Sequence, residues 1–293
     1  MDSTSLAGTW RMVIAMVLSG TIGLIVVESG QPLLHIVFYR CLIGGAAMVA
    51  WLTSTRGWKP MRRGDVTWLL ACSVALMVNW LSLFSAYRYS SISVATVVYH
   101  TQPFMLLALA VALQGERLQR ERLPWVALAF AGVVLIAELH RARPGGATWQ
   151  GVALALLAAF LYAAVVLMTR RLKHLPPAQI ATVQMTLGVL VLLPFVAPEL
   201  GPMPARGLAA VLTLGLVHTA FMYTIMYAAF QSLPAQSLAT LAYIYPVVAL
   251  LVDLFFYDVR PSVAQWVGMA AIVLAVVADQ RKWTLGLPWR RSA

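Results

Sequence analysis

Residues 149–169 read WQGVALALLAAFLYAAVVLMT, a run without a formally charged side chain. A helix needs about 20 such residues to cross the ~30 Å hydrocarbon core of a bilayer. Similar runs recur along the 293-residue chain, of which 61% is hydrophobic and only 11% charged. The apolar residues fall in blocks and lack the period-two alternation of barrel strands. Because helices satisfy their own backbone hydrogen bonds in lipid, the sequence predicts an all-α integral membrane protein.

Charge, cysteine content and motifs exclude several other classes. The net charge of +11 is interpreted as basic loops that set membrane orientation, so no nucleic-acid partner is expected. Cys41 and Cys72 lie inside apolar stretches and are interpreted as buried thiols rather than a disulfide or a metal site. The sequence has neither a glycine-rich phosphate loop nor an HExxH motif. We therefore expect no metal, no cofactor, no catalytic residues and no nucleotide hydrolysis within the chain.

Ten apolar segments are predicted to span the membrane. The first has the basic start of a signal peptide, but it lacks a convincing small-residue cleavage site and is kept as a helix. The ten segments are Arg11–Val27, Leu33–Leu52, Val66–Ala86, Ile92–Leu113, Leu123–Leu139, Trp149–Thr169, Pro177–Ala197, Leu208–Ala229, Ala235–Phe256 and Ser262–Ala278.

The distribution of basic residues predicts the orientation. With the N-terminus in the cytoplasm, fifteen Lys and Arg residues fall on the inner side and five on the outer side, while Arg40 lies within a span. This bias predicts that both termini are cytoplasmic, with residues 281–293 as a basic tail. The expected location is a bacterial-type inner (plasma) membrane, with membrane lipids as neighbours. The sequence carries no signal for an oligomeric state.

Segments in the first half of the sequence resemble segments in the second half at a nearly constant offset. Phe84-Ser-Ala-Tyr87 matches Tyr227-Ala-Ala-Phe230 at an offset of 143 residues, and at the same offset Tyr99–Pro103 (YHTQP) matches Ala242–Pro246 (AYIYP). The matches predict a five-helix repeat over 1–140 and a second over 147–280, separated by a Pro/Gly break at Arg143–Gly146. Since each repeat has an odd number of spans, the second is expected to be inverted relative to the first.

Several of these segments resemble the EamA family of the drug/metabolite transporter superfamily. The resemblance rests on the five-plus-five layout, on Thr96–Pro103 followed by Gly115-Glu116-Arg117-Leu118, and on the Tyr39-Arg40 pair. The second half departs from the pattern, with Tyr257-Asp258-Val-Arg260 where the family usually has Gly-Glu-Arg. The resemblance implies an exporter of amino acids or other small metabolites. Within the family the chain is most similar to the amino-acid exporters of the YddG type.

The matched prolines, Pro103 and Pro246, each fall near the middle of a span. A helical proline removes the donor to the carbonyl four residues earlier, so Tyr99 and Ala242 would each have a freed carbonyl oxygen. We predict a hinge at each proline, near a substrate site at mid-membrane. The alternative interpretation is a pair of packing kinks satisfied by neighbours or water.

Polar and aromatic side chains lie at a similar depth and are predicted to line the substrate site. Tyrosine hydroxyls, amides and aromatic faces suit a zwitterion whose ammonium group makes cation–π contacts, which favours neutral or aromatic amino acids. Packing between helices is the alternative role for each residue alone. The candidates are Asn79, Trp80, Ser82, Tyr99, His100, Gln102, Tyr162, Gln184, His218, Tyr223, Tyr243 and Tyr245.

Charged residues inside the spans suggest a gate. Arg40 is predicted to form an ion pair with Glu28 or Asp253 near the outer face, and binding of a substrate carboxylate is the alternative. His100 and His218 could relay protons or act as hydrogen-bonded packing groups. Proton coupling and facilitated diffusion both stay open.

Three other functions compete with amino-acid export by alternating access. A membrane-embedded enzyme would need a nucleophile with its base, or clustered metal ligands, and the five histidines are scattered along the sequence. A flippase or carrier of lipid-linked or nucleotide-linked metabolites would share the fold and open sideways between helices. A sensor or assembly protein would not need mirrored polar residues at mid-membrane.

Overall fold

A computed structural model describes residues 3–90, 92–139, 148–197 and 201–284. The predicted break at 143–146 and most of the predicted tail, residues 285–293, lie outside these ranges. The regular elements of the described part are helices. They are α1 Ser3–Ser29, α2 Leu33–Ser54, α3 Arg63–Tyr89, α4 Ile92–Tyr99, α5 Gln102–Gln114, a 3₁₀ helix Arg120–Arg122, α6 Leu123–Ile136, α7 Trp149–Arg171, α8 Pro177–Val196, α9 Ala205–Gly215, a π-helical segment Leu216–Phe221, α10 Met222–Ser232, α11 Ala235–Leu241, α12 Ile244–Tyr257 and α13 Val263–Gln280.

Nine helical runs of the described part are long and apolar enough to cross a membrane. They confirm nine of the ten predicted spans. The remaining one, predicted over Leu123–Leu139, corresponds to α6, which has 14 residues and is about 21 Å long at 1.5 Å per residue. The helix ends because Ala137 is followed by Glu138 with a left-handed φ of 43°. The fifth span therefore stays a prediction.

The helices form two compact units, each described by itself. Unit 1 comprises Met1–Trp80 and Ala164–Leu233, and unit 2 comprises Leu81–Ala163 and Pro234–Ala293. Both units draw helices from the first and the second half of the sequence, and the boundaries divide α3 and α7. The predicted repeats over 1–140 and 147–280 are therefore a different division of the chain, and they stay a prediction.

Small residues allow the helices of unit 1 to pack closely. Helix α2 packs along α8 and α9, and α1 packs on α10. A Cβ added at Gly44 would lie 2.9 Å from the Gly215 carbonyl oxygen, and one at Gly188 would lie 2.7 Å from Cys41 Sγ. Lipid tails are as apolar as leucine, so membrane helices associate through such close packing. Cys41 and Cys72 are free and buried in this unit.

The same device joins α6 to α13 in unit 2. A Cβ at Gly132 would lie 2.6 Å from the Gly268 carbonyl oxygen, and a Cβ at Gly268 would lie 2.6 Å from the Gly132 carbonyl oxygen. The two backbones are therefore in reciprocal contact, which leaves no room for a side chain at either position. Helix α11 packs on α5 in the same unit.

Helices α5 and α12 end with the same backbone geometry. Gly115 and Asp258, 143 residues apart, follow the two helices with left-handed φ angles of 64° and 55°. The next amide of each chain segment reaches back six residues, from Glu116 to Ala110 O and from Val259 to Asp253 O. Aspartate tolerates this conformation better than most residues. The departure from the Gly-Glu-Arg pattern therefore preserves the turn.

A glutamine side chain ties a helix start to a loop in each unit. In unit 1 the amide of Gln179 accepts from the Lys59 N–H and donates to the Lys59 carbonyl, both at 2.9 Å. In unit 2 Gln236 makes the same two bonds with the backbone of Gln119, at 3.2 and 3.1 Å. Each glutamine follows Pro-Ala, at 177–178 and 234–235. The repeated Pro-Ala-Gln triplet is the signal in the sequence for these two contacts.

A buried ion pair crosses unit 2. Arg122 Nε donates to Asp279 Oδ1 at 2.9 Å and Arg122 Nη2 to the Asp279 carbonyl at 2.7 Å, with both side chains at most 6% exposed. Arg122 Nη1 donates to Gln119 Oε1 at 3.0 Å. Arg122 is one of the fifteen basic residues that the sequence places on the inner side, where they are interpreted as setting the orientation. The structure gives this side chain a structural partner as well.

We expect Gly132→Ala to destabilise the protein. The added methyl group would meet the Gly268 backbone, which has no flexible end to move aside, and overpacking of this kind costs about 1–3 kcal/mol. Gly23→Ala is the matched control, since no atom lies within 4 Å of its added Cβ. Thermal unfolding in detergent should separate the two variants, and equal melting temperatures would contradict the close crossing.

We also expect Asp279→Asn to lower stability, because it leaves the buried Arg122 charge without its counter-ion. Removing one partner of a buried pair costs about 3–5 kcal/mol. Arg206→Gln removes an arginine that is 75% exposed and paired with Glu28, and should change stability by less than about 1 kcal/mol. The measurement is again thermal unfolding, and a smaller loss for Asp279→Asn than for Arg206→Gln would refute this account.

Candidate functional site

Two helical runs of unit 2 are interrupted close to the matched prolines. Helix α4 ends at Tyr99 and α5 begins at Gln102, while α11 ends at Leu241 and α12 begins at Ile244. In each gap an amide bonds three residues back, Thr101 N–H to Val98 O at 3.1 Å and Tyr243 N–H to Thr240 O at 3.2 Å. Each interruption precedes its proline by two or three residues. Pro103 and Pro246 are themselves buried near the first turn of the following helix.

The two interruptions meet through a tyrosine. The hydroxyl of Tyr243 donates to the carbonyl of His100 at 3.1 Å, and these residues are 143 positions apart. The positions of the two prolines predict freed carbonyls at Tyr99 and Ala242. The carbonyl that accepts a side-chain bond here belongs to His100, one residue after Tyr99, because the helix already ends before the proline.

An aromatic cluster surrounds the His100 ring. The ring stacks on Tyr245 with centroids 5.6 Å apart and on Tyr243 at 6.3 Å, and it meets Tyr99 edge-on at 6.1 Å. Tyr99 in turn contacts Tyr162 at 6.2 Å. The aromatic cluster is defined here as Tyr99, His100, Tyr162, Tyr243 and Tyr245. The structure thus brings together five of the predicted substrate residues.

Hydrogen bonding fixes the His100 ring. Its Nδ1 lies 2.7 Å from the carbonyl oxygen of Thr96, and a carbonyl can only accept, so Nδ1 carries a proton. In the neutral ring Nε2 is then an acceptor. His100 and Tyr243 are buried, whereas Tyr99, Tyr162 and Tyr245 are partly exposed. Those three tyrosines form the accessible part of the aromatic cluster.

The other predicted residues of unit 2 have separate positions. Gln102 is buried at the start of α5 and Ser82 is buried in α3. Asp253 is exposed on α12, near its C-terminal end. Tyr87, which packs against the buried Ala86, Ala95 and Ala155, was not selected from the sequence. Its signal was the repeat match of Phe84–Tyr87.

Among the described residues of unit 1, Arg40 is a buried cation, with 9% of its surface exposed. Its Nε donates to Thr219 Oγ1 at 3.2 Å and its Nη2 to the carbonyl of His218 at 3.4 Å. The guanidinium carbon lies 5.7 Å from the centre of the Trp80 ring. The three groups that contact the Arg40 side chain, a hydroxyl, a backbone carbonyl and an indole ring, are all uncharged.

The predicted ion pair between Glu28 and Arg40 is not formed. Glu28 pairs with Arg206 instead. Arg206 lies near the start of α9, whereas Arg40 lies well inside α2. The sequence could not show this, because the choice between two arginines depends on how α1 and α9 pack.

The partners of Arg40 lie on the π-helical segment Leu216–Phe221. Thr219 Oγ1 donates to the Leu214 carbonyl at 2.8 Å, five residues back, and so is oriented to accept from Arg40. His218 Nδ1 faces the Thr213 carbonyl at 3.3 Å and its Nε2 faces Thr21 Oγ1 at 2.9 Å. π-Helical turns are rare and frequently occur at functional sites. Thr219 and the π geometry had no signal in the sequence.

The remaining candidates of unit 1 are buried. Gln184 accepts from the Tyr227 hydroxyl and donates to Cys72 Sγ at 3.0 Å, and it is fully buried. Tyr223 is 5% exposed and meets Tyr227 edge-on. Asn79 is fully buried. A substrate could reach Gln184 only if its present neighbours moved.

Comparison with known proteins identifies the family. The model of the EamA-like transporter family matches residues 6–137 and again residues 149–278. A Bacillus subtilis (strain 168) protein named "Uncharacterized transporter YxxF" is 28% identical over 93% of this chain and 90% of its own length. An "Uncharacterized transporter" of Archaeoglobus fulgidus is 26% identical over 94% of this chain and 97% of its own.

A solved crystal structure shares the fold. It has a TM-score of 0.80 and 20% sequence identity, and the match covers 93% of this chain and 98% of the other. At this identity the likeness shows the fold alone. Because the family model covers most of the sequence, the chain belongs to the EamA-like transporter family and is a multi-pass membrane transporter, not an enzyme.

Proposed function

We propose that this transporter exports neutral and aromatic amino acids by alternating access. The observation that carries the proposal is the aromatic cluster built on two interrupted helices. His100 and Tyr243 are buried and hydrogen-bonded at the interruptions, and the partly exposed Tyr99, Tyr162 and Tyr245 surround them. Interrupted helices at mid-membrane are the usual location of substrate sites in transporters built from repeats.

The chemistry of the aromatic cluster favours a substrate with an ammonium group. Each tyrosine offers a negative ring face, and cation–π contacts contribute about 0.5–2 kcal/mol each. The hydroxyl groups add donors and acceptors without a formal charge. A side chain of the substrate can pack on the remaining ring surface, which suits phenylalanine, tyrosine or leucine. We propose that Gln102 and Ser82 complete the polar lining.

We further propose that the frame is ten helices in two inverted five-helix repeats, with both termini in the cytoplasm. Support comes from the two successive family matches, at 6–137 and 149–278. Within the units, equivalent spans pack in pairs: α2 on α8, α6 on α13, and the span formed by α4 and α5 on the span formed by α11 and α12, through α5 and α11. The excess of basic residues in the inner loops supports the orientation. A bacterial-type inner membrane is the expected location.

A lipid-linked substrate is the alternative that one observation favours. An open groove in unit 2 is lined mainly by apolar side chains where α3 ends and α7 begins. Such a groove could hold an acyl chain beside the helices. Its lining residues are Tyr89, Trp149, Gln150, Ala153, Leu154 and Leu157.

The direct test is uptake of radiolabelled phenylalanine and leucine by proteoliposomes, with and without an imposed pH gradient. We expect saturable uptake. Tyr99→Ala should lower its efficiency about tenfold, the value of one good cation–π contact, whereas Tyr99→Phe keeps the ring and should stay within about threefold. Tyr257→Ala, at the exposed end of α12, is the matched control. No uptake of any amino acid by folded protein would reject the proposal.

The hinge role of the prolines has its own test. We expect Pro103→Ala and Pro246→Ala each to slow transport several-fold while the yield of folded protein changes less than twofold. A normal N–H donor at either position favours a continuous helix across the interruption. Pro194→Ala is the control, because Pro194 is exposed inside α8 and outside both interruptions. Transport at the wild-type rate in both variants would leave the prolines as packing kinks.

A further inference from the structure

The Arg40 guanidinium has unused hydrogen-bonding capacity. The group has five N–H donors. Within the described residues, Nε bonds to Thr219 Oγ1 and Nη2 bonds to the His218 carbonyl, and Nη1 has no hydrogen-bond partner. Both acceptors are neutral. The group stays charged in proteins, and a buried charge without a counter-ion is unfavourable.

The carboxylates of unit 1 do not supply that counter-ion. Glu28 pairs with Arg206. Asp65 pairs with His174 at 3.0 Å and accepts from the Arg62 N–H at 2.8 Å. The unit has two further acidic residues, Asp2 and Glu199, which lie outside the described residues. Among the described residues of unit 1, Arg40 is therefore a buried cation with a vacant donor edge.

Two glycines bring the π-helical segment close to Arg40. Gly44, one turn along α2, allows the π segment to approach, since a Cβ there would lie 2.5 Å from Thr219 Cγ2. Gly215 also allows this close approach, because a Cβ added there would lie 2.5 Å from Ile43 Cγ2. The π segment then directs Thr219 Oγ1 and the His218 carbonyl at one side of the guanidinium. Two of its three nitrogens are fixed in orientation and the third is left for a ligand.

We infer that Arg40, held by Thr219 and His218 and flanked by Trp80, binds the carboxylate group of the transported substrate. A guanidinium and a carboxylate match as planar, two-point partners, and charge-assisted hydrogen bonds are about twice as strong as neutral ones. The inference deepens the proposed function and rests on it for the identity of the substrate as an amino acid. It also replaces the expected ion pair as the role of Arg40.

Three ligands with the same phenyl ring separate the charged groups. Phenylalanine carries both groups, 3-phenylpropionate carries only the carboxylate, and phenethylamine carries only the ammonium group. Dissociation constants are measured from ligand-dependent thermal shifts of the purified full chain. We expect Arg40→Gln to raise the dissociation constants of phenylalanine and 3-phenylpropionate about ten- to hundredfold, the range for a lost hydrogen bond to a charged group. Binding of phenethylamine should stay within about twofold.

Two milder variants keep the test decisive if Arg40→Gln does not fold. Arg40→Lys retains the charge and loses the two-point geometry, and Thr219→Val removes the hydroxyl that orients Nε. Both variants should raise the dissociation constants of the two carboxylate ligands about three- to tenfold and leave that of phenethylamine unchanged. Arg11→Gln, an exposed arginine of the same unit, is the control and should alter none of the three constants.

Each other outcome rejects a defined part of the inference. An equal loss for all three ligands would make Arg40 a structural residue. Unchanged carboxylate binding would return Arg40 to the role of an internal lock. If phenyl phosphate binds in an Arg40-dependent way and neither carboxylate ligand binds, the group that Arg40 recognises is a phosphate and not a carboxylate. Arg40-dependent binding of 3-phenylpropionate without binding of phenylalanine would keep the carboxylate site and reject amino acids as substrates.

Discussion

The satisfaction of backbone hydrogen bonds in lipid is the constraint on which the rest of this structure depends. Hydrocarbon offers no partner to an N–H or C=O group, so a chain that crosses it must be helical wherever it faces lipid. Departures from α-helical geometry are therefore costly unless other groups compensate. The described part of the chain has three such departures inside long apolar runs, at residues 100–101, 242–243 and 216–221.

Each departure coincides with a polar or aromatic site. At the first two, the backbone is compensated by three-residue hydrogen bonds and by the bond from Tyr243 to the His100 carbonyl. At the third, the hydroxyl of Thr219 bonds five residues back and Arg40 takes the His218 carbonyl. Irregular backbone is tolerated at membrane depth where protein groups replace water. Such places supply the oriented polar atoms that a transported solute needs.

Close packing of small residues and a few buried polar contacts hold each unit together. Gly132 and Gly268 bring two backbones into contact, and Gly44 and Gly215 do so in the other unit. Gln179 and Gln236 hold the loops close to the starts of two helices. Each glutamine side chain hydrogen-bonds both the backbone N–H and the backbone carbonyl of one loop residue. The proposed substrate sites thus lie on helices whose separations are set by glycine, and polar side chains fix the ends of these helices.

The sequence by itself determined the class of this protein, the existence and approximate bounds of nine spans, the position of both helix interruptions to within three residues, and the transporter family. These features follow from composition, from the lengths of apolar runs and from proline, which act locally along the chain. The aromatic cluster was also partly foreseeable, because the five residues lie at one predicted depth. Only the tertiary structure decided which polar groups meet. It paired Glu28 with Arg206, gave Arg40 neutral partners, enclosed Gln184, and ended the fifth apolar run at Ile136. The physical reason is that hydrophobic periodicity fixes which segments leave water, whereas the partner of a buried polar atom depends on helix separation and rotation, and glycines distant in the sequence set both.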